Sequence, residues 1–151
     1  SYEPISGEKY DIIVELDVTS PIRTVDDIYN CINLFITRNL FSLKEVLFSV
    51  VESRKNPYFN MVEEQKNGLV KLSKPPKKLY LRRQDAPQVY DMNTSIYLYS
   101  RKFLLNPKNT SVFSTSKIAI YVMDNLSAID IDSPIDFKYI EFLVKNKQVK
   151  L

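Results

Sequence analysis

At 151 residues the chain has the length of one domain, which buries about two-thirds of the surface its unfolded form exposes, and its 44% hydrophobic and 26% charged residues fit an ordinary globular fold. A net charge of +3 is too small to argue for nucleic-acid binding, and the absence of histidine excludes Ser-His and Cys-His catalysis, histidine-ligated zinc and histidine general bases. No apolar run approaches the roughly 20 residues of a membrane span and residues 1–9 carry no signal pattern, which, with Cys31 as the one cysteine, points to the reducing cytoplasm.

Residues 1–9 are polar and unpatterned and read as a loop. Residues 11–16, Asp-Ile-Ile-Val-Glu-Leu, form a short β-branched run of the kind a buried parallel strand shows, and it stops at Asp17-Val18-Thr19-Ser20-Pro21. A strand that ends in a polar, proline-bearing loop and leads into a helix is where open α/β sheets place their ligands. The helix starts at Thr24, a good N-cap, with Asp26 and Asp27 in the first turn where the helix dipole favours negative charge. Ile28, Cys31, Ile32 and Phe35 share its apolar face, which makes Cys31 a core residue. Residues 46–52, Val-Leu-Phe-Ser-Val-Val-Glu, are a second strand, and strand, helix, strand implies a right-handed parallel crossover.

The middle changes character. Strands over 58–62 and 69–72 flank Asn67-Gly68, a hairpin turn signal. Gly7 and Gly68 are the two glycines, too far apart for a glycine-rich phosphate loop within this chain. Lys74-Pro75-Pro76-Lys77-Lys78 reads as a stiff, solvated linker in preference to a nucleic-acid patch, because no repeated aromatic platform accompanies it. Residues 82–93 are dense in side chains that make directional hydrogen bonds, and the planar forks of Arg82 and Arg83 suit a carboxylate or phosphate. A strand over 95–99, a short helix over 101–105 and a strand over 118–123 follow.

Residues 127–137 read Ser-Ala-Ile-Asp-Ile-Asp-Ser-Pro-Ile-Asp-Phe. On an extended backbone Asp130 and Asp132 point to one face and Ile129 and Ile131 into a core. Such a pair can seat Mg²⁺, which takes one or two carboxylates and fills its octahedron with water and substrate phosphates, although most Asp-x-Asp pairs are solvated strand edges. Ser133 and Pro134 then open a closing helix with Ile135, Tyr139, Phe142 and Leu143 along one face. No internal repeat is visible. The order of elements predicts a three-layer α/β fold around a mostly parallel sheet, with a hairpin excursion over 56–80. The apolar Phe59, Met61 and Val62 of that excursion suit either cover by a second copy of the chain or, for Phe59 and Met61, a core beneath the hairpin.

Four stretches in order, 16–23 (Leu-Asp-Val-Thr-Ser-Pro-Ile-Arg), 83–87 (Arg-Gln-Asp-Ala-Pro), 93–97 (Asn-Thr-Ser-Ile-Tyr) and 127–137, resemble the successive motifs of the acylneuraminate cytidylyltransferases, the CMP-sialic acid synthetases. The resemblance covers nearly the whole chain and corresponds to the C-terminal two-thirds of that enzyme, so it implies a single partial domain over 1–151 of the Rossmann-like, nucleotide-diphospho-sugar transferase kind. It also implies a reaction: the anomeric hydroxyl of a nine-carbon 2-keto acid sugar attacks the α-phosphate of CTP, releasing pyrophosphate. Asp130 and Asp132 would hold Mg²⁺ as cofactor, and Arg83 would receive the sugar carboxylate at the catalytic centre. Asn60, Gln84 and Asn93 would hydrogen-bond the substrate, and Asp17, Thr19, Ser20 and Arg23 would line the cleft. The partners implied are CTP, a 2-keto-3-deoxy sugar acid and a second copy bound through 56–80, with neither nucleic acid nor membrane.

Two departures qualify the match. Sialic acid enzymes commonly read Leu-Gln-Pro-Thr-Ser-Pro where this chain has Asp17-Val18, and Asn56-Pro57-Tyr58-Phe59-Asn60-Met61-Val62 resembles members that activate related sugars such as legionaminic acid. The family's opening strand and its glycine-containing, Arg-, Lys- and Ser-rich CTP loop have no match here, and loss of that strand would expose a sheet edge and favour self-association. Two expectations follow: a cytidylyltransferase, or a non-catalytic truncated fragment serving as a sugar-binding or dimerisation module. Affinity for cytidine nucleotide separates them.

Overall fold

The computed structural model describes residues 7–37 and 44–149. In chain order the described elements are β1 (Ile12–Leu16), α1 (Val25–Thr37), β2 (Val46–Glu52), β3 (Val62–Glu64), β4 (Val70–Leu72), β5 (Tyr90–Ser100), α2 (Arg101–Leu104), β6 (Ile118–Val122) and α3 (Pro134–Lys145). The chain forms two compact units, Glu52–Asp91 being one and the residues before and after it the other. Of residues 1–9, read above as a loop, 1–6 lie outside the described residues.

The larger unit is built on a four-stranded sheet in the order β1-β5-β2-β6. β1 pairs antiparallel with β5, Ile12 opposite Ser100 and Leu16 opposite Ile96, and β2 pairs parallel with β6, Val46 opposite Ile118. At the end of β5 the Ser100 N–H donates to Glu45 O (2.9 Å), just ahead of β2, so β5 runs against β2 as well. The expectation of a mostly parallel sheet is therefore corrected to a mixed one. The strand read at 95–99 is the C-terminal half of an 11-residue strand that enters between β1 and β2 in the opposite direction. A fully buried apolar strand has the same composition in either orientation, so the run Ser-Ile-Tyr-Leu-Tyr carries no sign of its direction.

β2 is buried along almost its whole length, and its alternate residues serve two cores. On one face Leu47 and Val51 pack with Ile96 and Leu98 of β5, Met123, and Cys31 and Phe35 of α1, as the helical spacing predicted. On the other face Val46, Phe48 and Val50 pack with Phe103, Tyr97 and Tyr99. α1 is anchored at its start by a reciprocal cap: the Asp27 N–H donates to Thr24 Oγ1 (3.1 Å) and the Thr24 N–H to the Asp27 carboxylate (2.8 Å). α3 is capped by Asp136, which accepts from the Ser133 N–H (2.8 Å) and hydroxyl (2.7 Å). Its inward face differs from the expected one. Ile140 and Leu143 are buried against Ile22, whereas Ile135, Tyr139 and Phe142 are exposed. The helix is apolar at 135, 137, 139, 140, 142, 143 and 144, so periodicity alone does not choose its face.

In the smaller unit β3 and β4 form the hairpin, Val62 opposite Leu72. Gly68 takes the left-handed φ of 78° that the turn needs, and Asn67 Oδ1 accepts from the Leu69 N–H (3.1 Å). The strand expected at 58–62 begins only at Val62. Residues 57–61 instead curl around Asn56, whose carbonyl accepts from the N–H groups of Phe59, Asn60 and Met61 (3.0, 2.9 and 3.1 Å). Asn-Pro is a turn initiator, and here it overrides the strand propensity of Tyr58 and Phe59. No helix of the described residues is long and apolar enough to cross a membrane.

Candidate functional site

The loop after β1 is held by its own side chains. Asp17 Oδ1 accepts from both the N–H and the hydroxyl of Thr19 (2.8 Å each), and these donations keep the Asp17 carboxyl below the usual carboxylate range. Arg23 Nη1 donates to the carbonyls of Asp17 (2.5 Å) and Ser20 (2.8 Å) and approaches that of Ser95 (3.4 Å). The loop thus wraps around one guanidinium nitrogen. A Gly-poor, Pro-bearing segment leaves its carbonyls without ladder partners, and the arginine satisfies them.

This wrapping fixes Ser20, which is 1% exposed. Its hydroxyl donates to the Asp130 carboxylate and lies 3.2 Å from Asn93 O. The Ile131 N–H donates to Thr19 O (2.9 Å), so Asp130 is clamped to the loop from its side chain and from the next backbone group. Ile129 and Ile131 are half-buried against the Ile22 cluster, as the alternation predicted, although the segment is irregular and not a strand. Asp132 is exposed, with no side-chain hydrogen bond among the described residues. The two carboxylates thus have different surroundings: Asp130 is held, Asp132 is in solvent.

Asn93, expected to bond the sugar, lies buried among hydroxyl side chains. It is 2% exposed, its Oδ1 accepts from Ser49 Oγ (2.7 Å) and its Nδ2 donates to Ser127 Oγ (2.9 Å). Both ends of the amide are used within the protein. Ser49 and Ser127 escaped the sequence reading, yet a lone hydroxyl inside Val-Leu-Phe-Ser-Val-Val was a signal, because a buried hydroxyl requires a partner.

In the smaller unit Arg83 opens a short 3₁₀ turn, Arg83–Asp85, and its Nη2 donates to Ser53 O (2.6 Å). It lines, with Ser53, Asn56, Gln84 and Gln88, a predominantly polar cavity of about 410 Å³. Asn56, the first residue of the legionaminic-like stretch, is buried and braces this cavity through Nδ2 to Pro87 O (2.9 Å). Asn60 serves the same turn, its Oδ1 accepting from the Asn56 N–H (2.7 Å). Of the residues expected to bind substrate, Arg83 and Gln84 face a cavity, whereas Asn93 bonds buried side chains through both ends of its amide, Arg23 bonds backbone carbonyls through Nη1, and the exposed Asn60 bonds the backbone through Oδ1.

The donor chemistry bears on a metal. Among the described residues no group of three or more His, Cys, Asp or Glu side chains gathers as an ion cage. Two carboxylates, one of them already oriented, fit a cation that takes most of its ligands from water and substrate oxygens, which is the habit of Mg²⁺ and not of structural zinc or calcium.

An α/β unit with a mixed sheet, carrying a held aspartate beside the loop that follows β1, defines the broad class. No family model matches the chain. It is 38% identical over 142 residues to Post-translational flagellin modification protein B of Campylobacter coli, covering 94% of this chain and 56% of that protein. It is 46% identical over 103 residues to CMP-N,N'-diacetyllegionaminic acid synthase of Campylobacter jejuni, covering 68% of this chain and 41% of that protein. The chain belongs to the acylneuraminate cytidylyltransferase family, in company with its legionaminic-type members. It spans about half the length of the curated relatives it matches.

Proposed function

We propose that the chain is part of a cytoplasmic cytidylyltransferase that transfers CMP from CTP to a nine-carbon 2-keto acid sugar of the sialic or legionaminic type. The observation that carries this reading is the 46% identity to a CMP-N,N'-diacetyllegionaminic acid synthase over 103 residues, and it also favours a legionaminic-type sugar. In the reaction the anomeric oxygen of the sugar bonds to the α-phosphorus of CTP while the bond to the β-phosphate oxygen breaks and pyrophosphate leaves. Such transfer depends on positioning and on stabilising charge. Asp130 and Asp132 would hold Mg²⁺, which when bound neutralises charge on the phosphates.

Ser20 keeps the Asp130 carboxylate oriented through its hydroxyl, and the Arg23-wrapped loop keeps Ser20 in place. In the smaller unit Arg83 would pair with the sugar carboxylate through guanidinium N–H groups not spent on Ser53, and Gln84 would bond sugar hydroxyls. The exposed Met61, Val62, Leu69 and Val70 of the hairpin suit a homodimer contact. The test is calorimetric titration of the chain with a panel of nine-carbon 2-keto acid sugars. Binding of one sugar, weakened at least about tenfold in Arg83→Ala, is expected from the loss of a charge-assisted contact. Binding of none of them, or equal binding by the variant, would contradict the assignment.

A further inference from the structure

Thr94 in β5 has a φ of 51°, in the left-handed region that a β-branched residue rarely occupies. Such a conformation persists only where the surroundings over-determine it. Its effect is visible in the faces of the strand. Tyr97 and Tyr99 pack with Phe48 and Phe103, while Ile96 and Leu98 pack with Leu47, Phe35 and Met123. Regular alternation continued backward would put Asn93 on the tyrosine side. Instead the Asn93 amide reaches Ser49 Oγ and lies 3.4 Å from Met123 Sδ, on the side of Ile96. The kink at Thr94 therefore transfers Asn93 from one face of the sheet to the other, as a bulge does.

We propose that Thr94 and Asn93 form a latch that positions Asp130. Turned inward, Asn93 joins three segments. Its Oδ1 takes the Ser49 hydroxyl of β2, and Ser49 Oγ in turn accepts from the Ile96 N–H (2.9 Å). Its Nδ2 donates to Ser127, three residues before Asp130, and Ser127 Oγ donates onward to Asp124 O (2.7 Å). Its carbonyl lies beside the Ser20 hydroxyl that is aimed at Asp130. An amide suits this place because it accepts at one end and donates at the other; a carboxylate keeps the Ser49 bond and loses the donor to Ser127. Asn93 is thus a positioning residue, and its bearing on catalysis rests on the reading above that Asp130 acts in the transfer.

Amide hydrogen exchange on the chain tests the latch without any ligand. The reporter is the Ile131 N–H, bonded to Thr19 O; the reference is the Ser100 N–H, bonded to Glu45 O at the other end of the larger unit's sheet. In Asn93→Asp the exchange of Ile131 should rise about tenfold relative to Ser100, the effect of losing one buried hydrogen bond locally. A uniform rise at both amides would mean that Asn93 only stabilises the unit as a whole, and no rise would mean that it holds nothing; either overturns the proposal. Should Asn93→Asp fail to fold, Ser127→Ala removes the same bond from the other partner and must give the same selective rise, an unchanged ratio again overturning the latch. Thr94→Gly, which accepts positive φ freely, should leave the ratio within about twofold, and a rise comparable to that of Asn93→Asp would overturn the role given to the kink. Mn²⁺ binding by the wild-type chain is a separate readout: its absence counts against the proposed metal site, while the exchange ratio decides the latch.

Discussion

Arg23→Met separates a clamp from a ligand contact. Methionine keeps much of the apolar stem of the half-buried arginine and removes its donors. Two carbonyls, those of Asp17 and Ser20, lie at bonding distance from Nη1, and the 3.4 Å approach to Ser95 O adds little. Hydrogen bonds to a charged group contribute about 1.5–3 kcal/mol each, and partial exposure lets water replace part of that, so the loss should be about 2–3 kcal/mol. For a chain of this size each kcal/mol moves the midpoint by about 2–4 °C, which gives a fall of roughly 5–10 °C in thermal unfolding followed by far-UV circular dichroism. Sugar-acid affinity, carried in this account by Arg83, should change less than the midpoint implies. A midpoint shifted by under about 1 °C, together with a tenfold or greater loss of sugar affinity, would refute the clamp and return Arg23 to the ligand.

The remaining expectations concern the core, the thiol and the acid limb. Phe35 is fully buried between α1 and the sheet, so Phe35→Ala should cost about 3–5 kcal/mol in urea unfolding, and a loss under about 1 kcal/mol would mean that this core is mis-assigned. Burial, with the nearby Asp27 charge, pushes the Cys31 thiol up to about 12. At pH 8 native protein should therefore take up iodoacetamide at least about a hundredfold more slowly than urea-unfolded protein, and equal rates would contradict its placement. The carboxyls of Asp17 and Asp136 are both held low, Asp17 by Thr19 and Asp136 by Ser133. A depressed folded-state pKa adds stability that is present above the unfolded value of about 3.9 and is lost as pH falls through the folded one. Asp136→Asn should thus lower the midpoint at neutral pH and flatten its fall in acid; acid limbs of identical slope would count against the Ser133–Asp136 cap.

What the sequence revealed was chiefly local chemistry. The N-caps Thr24 and Ser133 and the Asn67-Gly68 turn stand where they were read; that Asp27 and Asp136 close the two caps by hydrogen bonds emerged only from the fold. The apolar stripe of α1 and the buried run of β2 were equally legible, because burial on one or both faces leaves a period in the sequence. Direction and facing were not. β5 reads alike forward and reversed, and α3 is apolar on several sides, so only tertiary packing decides which residues turn inward. The site shows the same limit. Polar residues clustered in the loop after β1 as expected, but whether Arg23 and Asn93 address a ligand or the protein depends on which carbonyls and hydroxyls the fold brings beside them. The left-handed Thr94 that turns Asn93 inward leaves no mark in Asn-Thr-Ser-Ile-Tyr.

Pyrophosphate release is the most direct measure of the central claim, assayed with the full-length product of the gene that encodes this chain, CTP, Mg²⁺ and the panel of nine-carbon 2-keto acid sugars. The account predicts release with a legionaminic- or sialic-type sugar and a loss of about 10²–10³ in kcat when Asp130→Asn removes the held carboxylate charge. No release with any sugar, or release undiminished in Asp130→Asn, would contradict it.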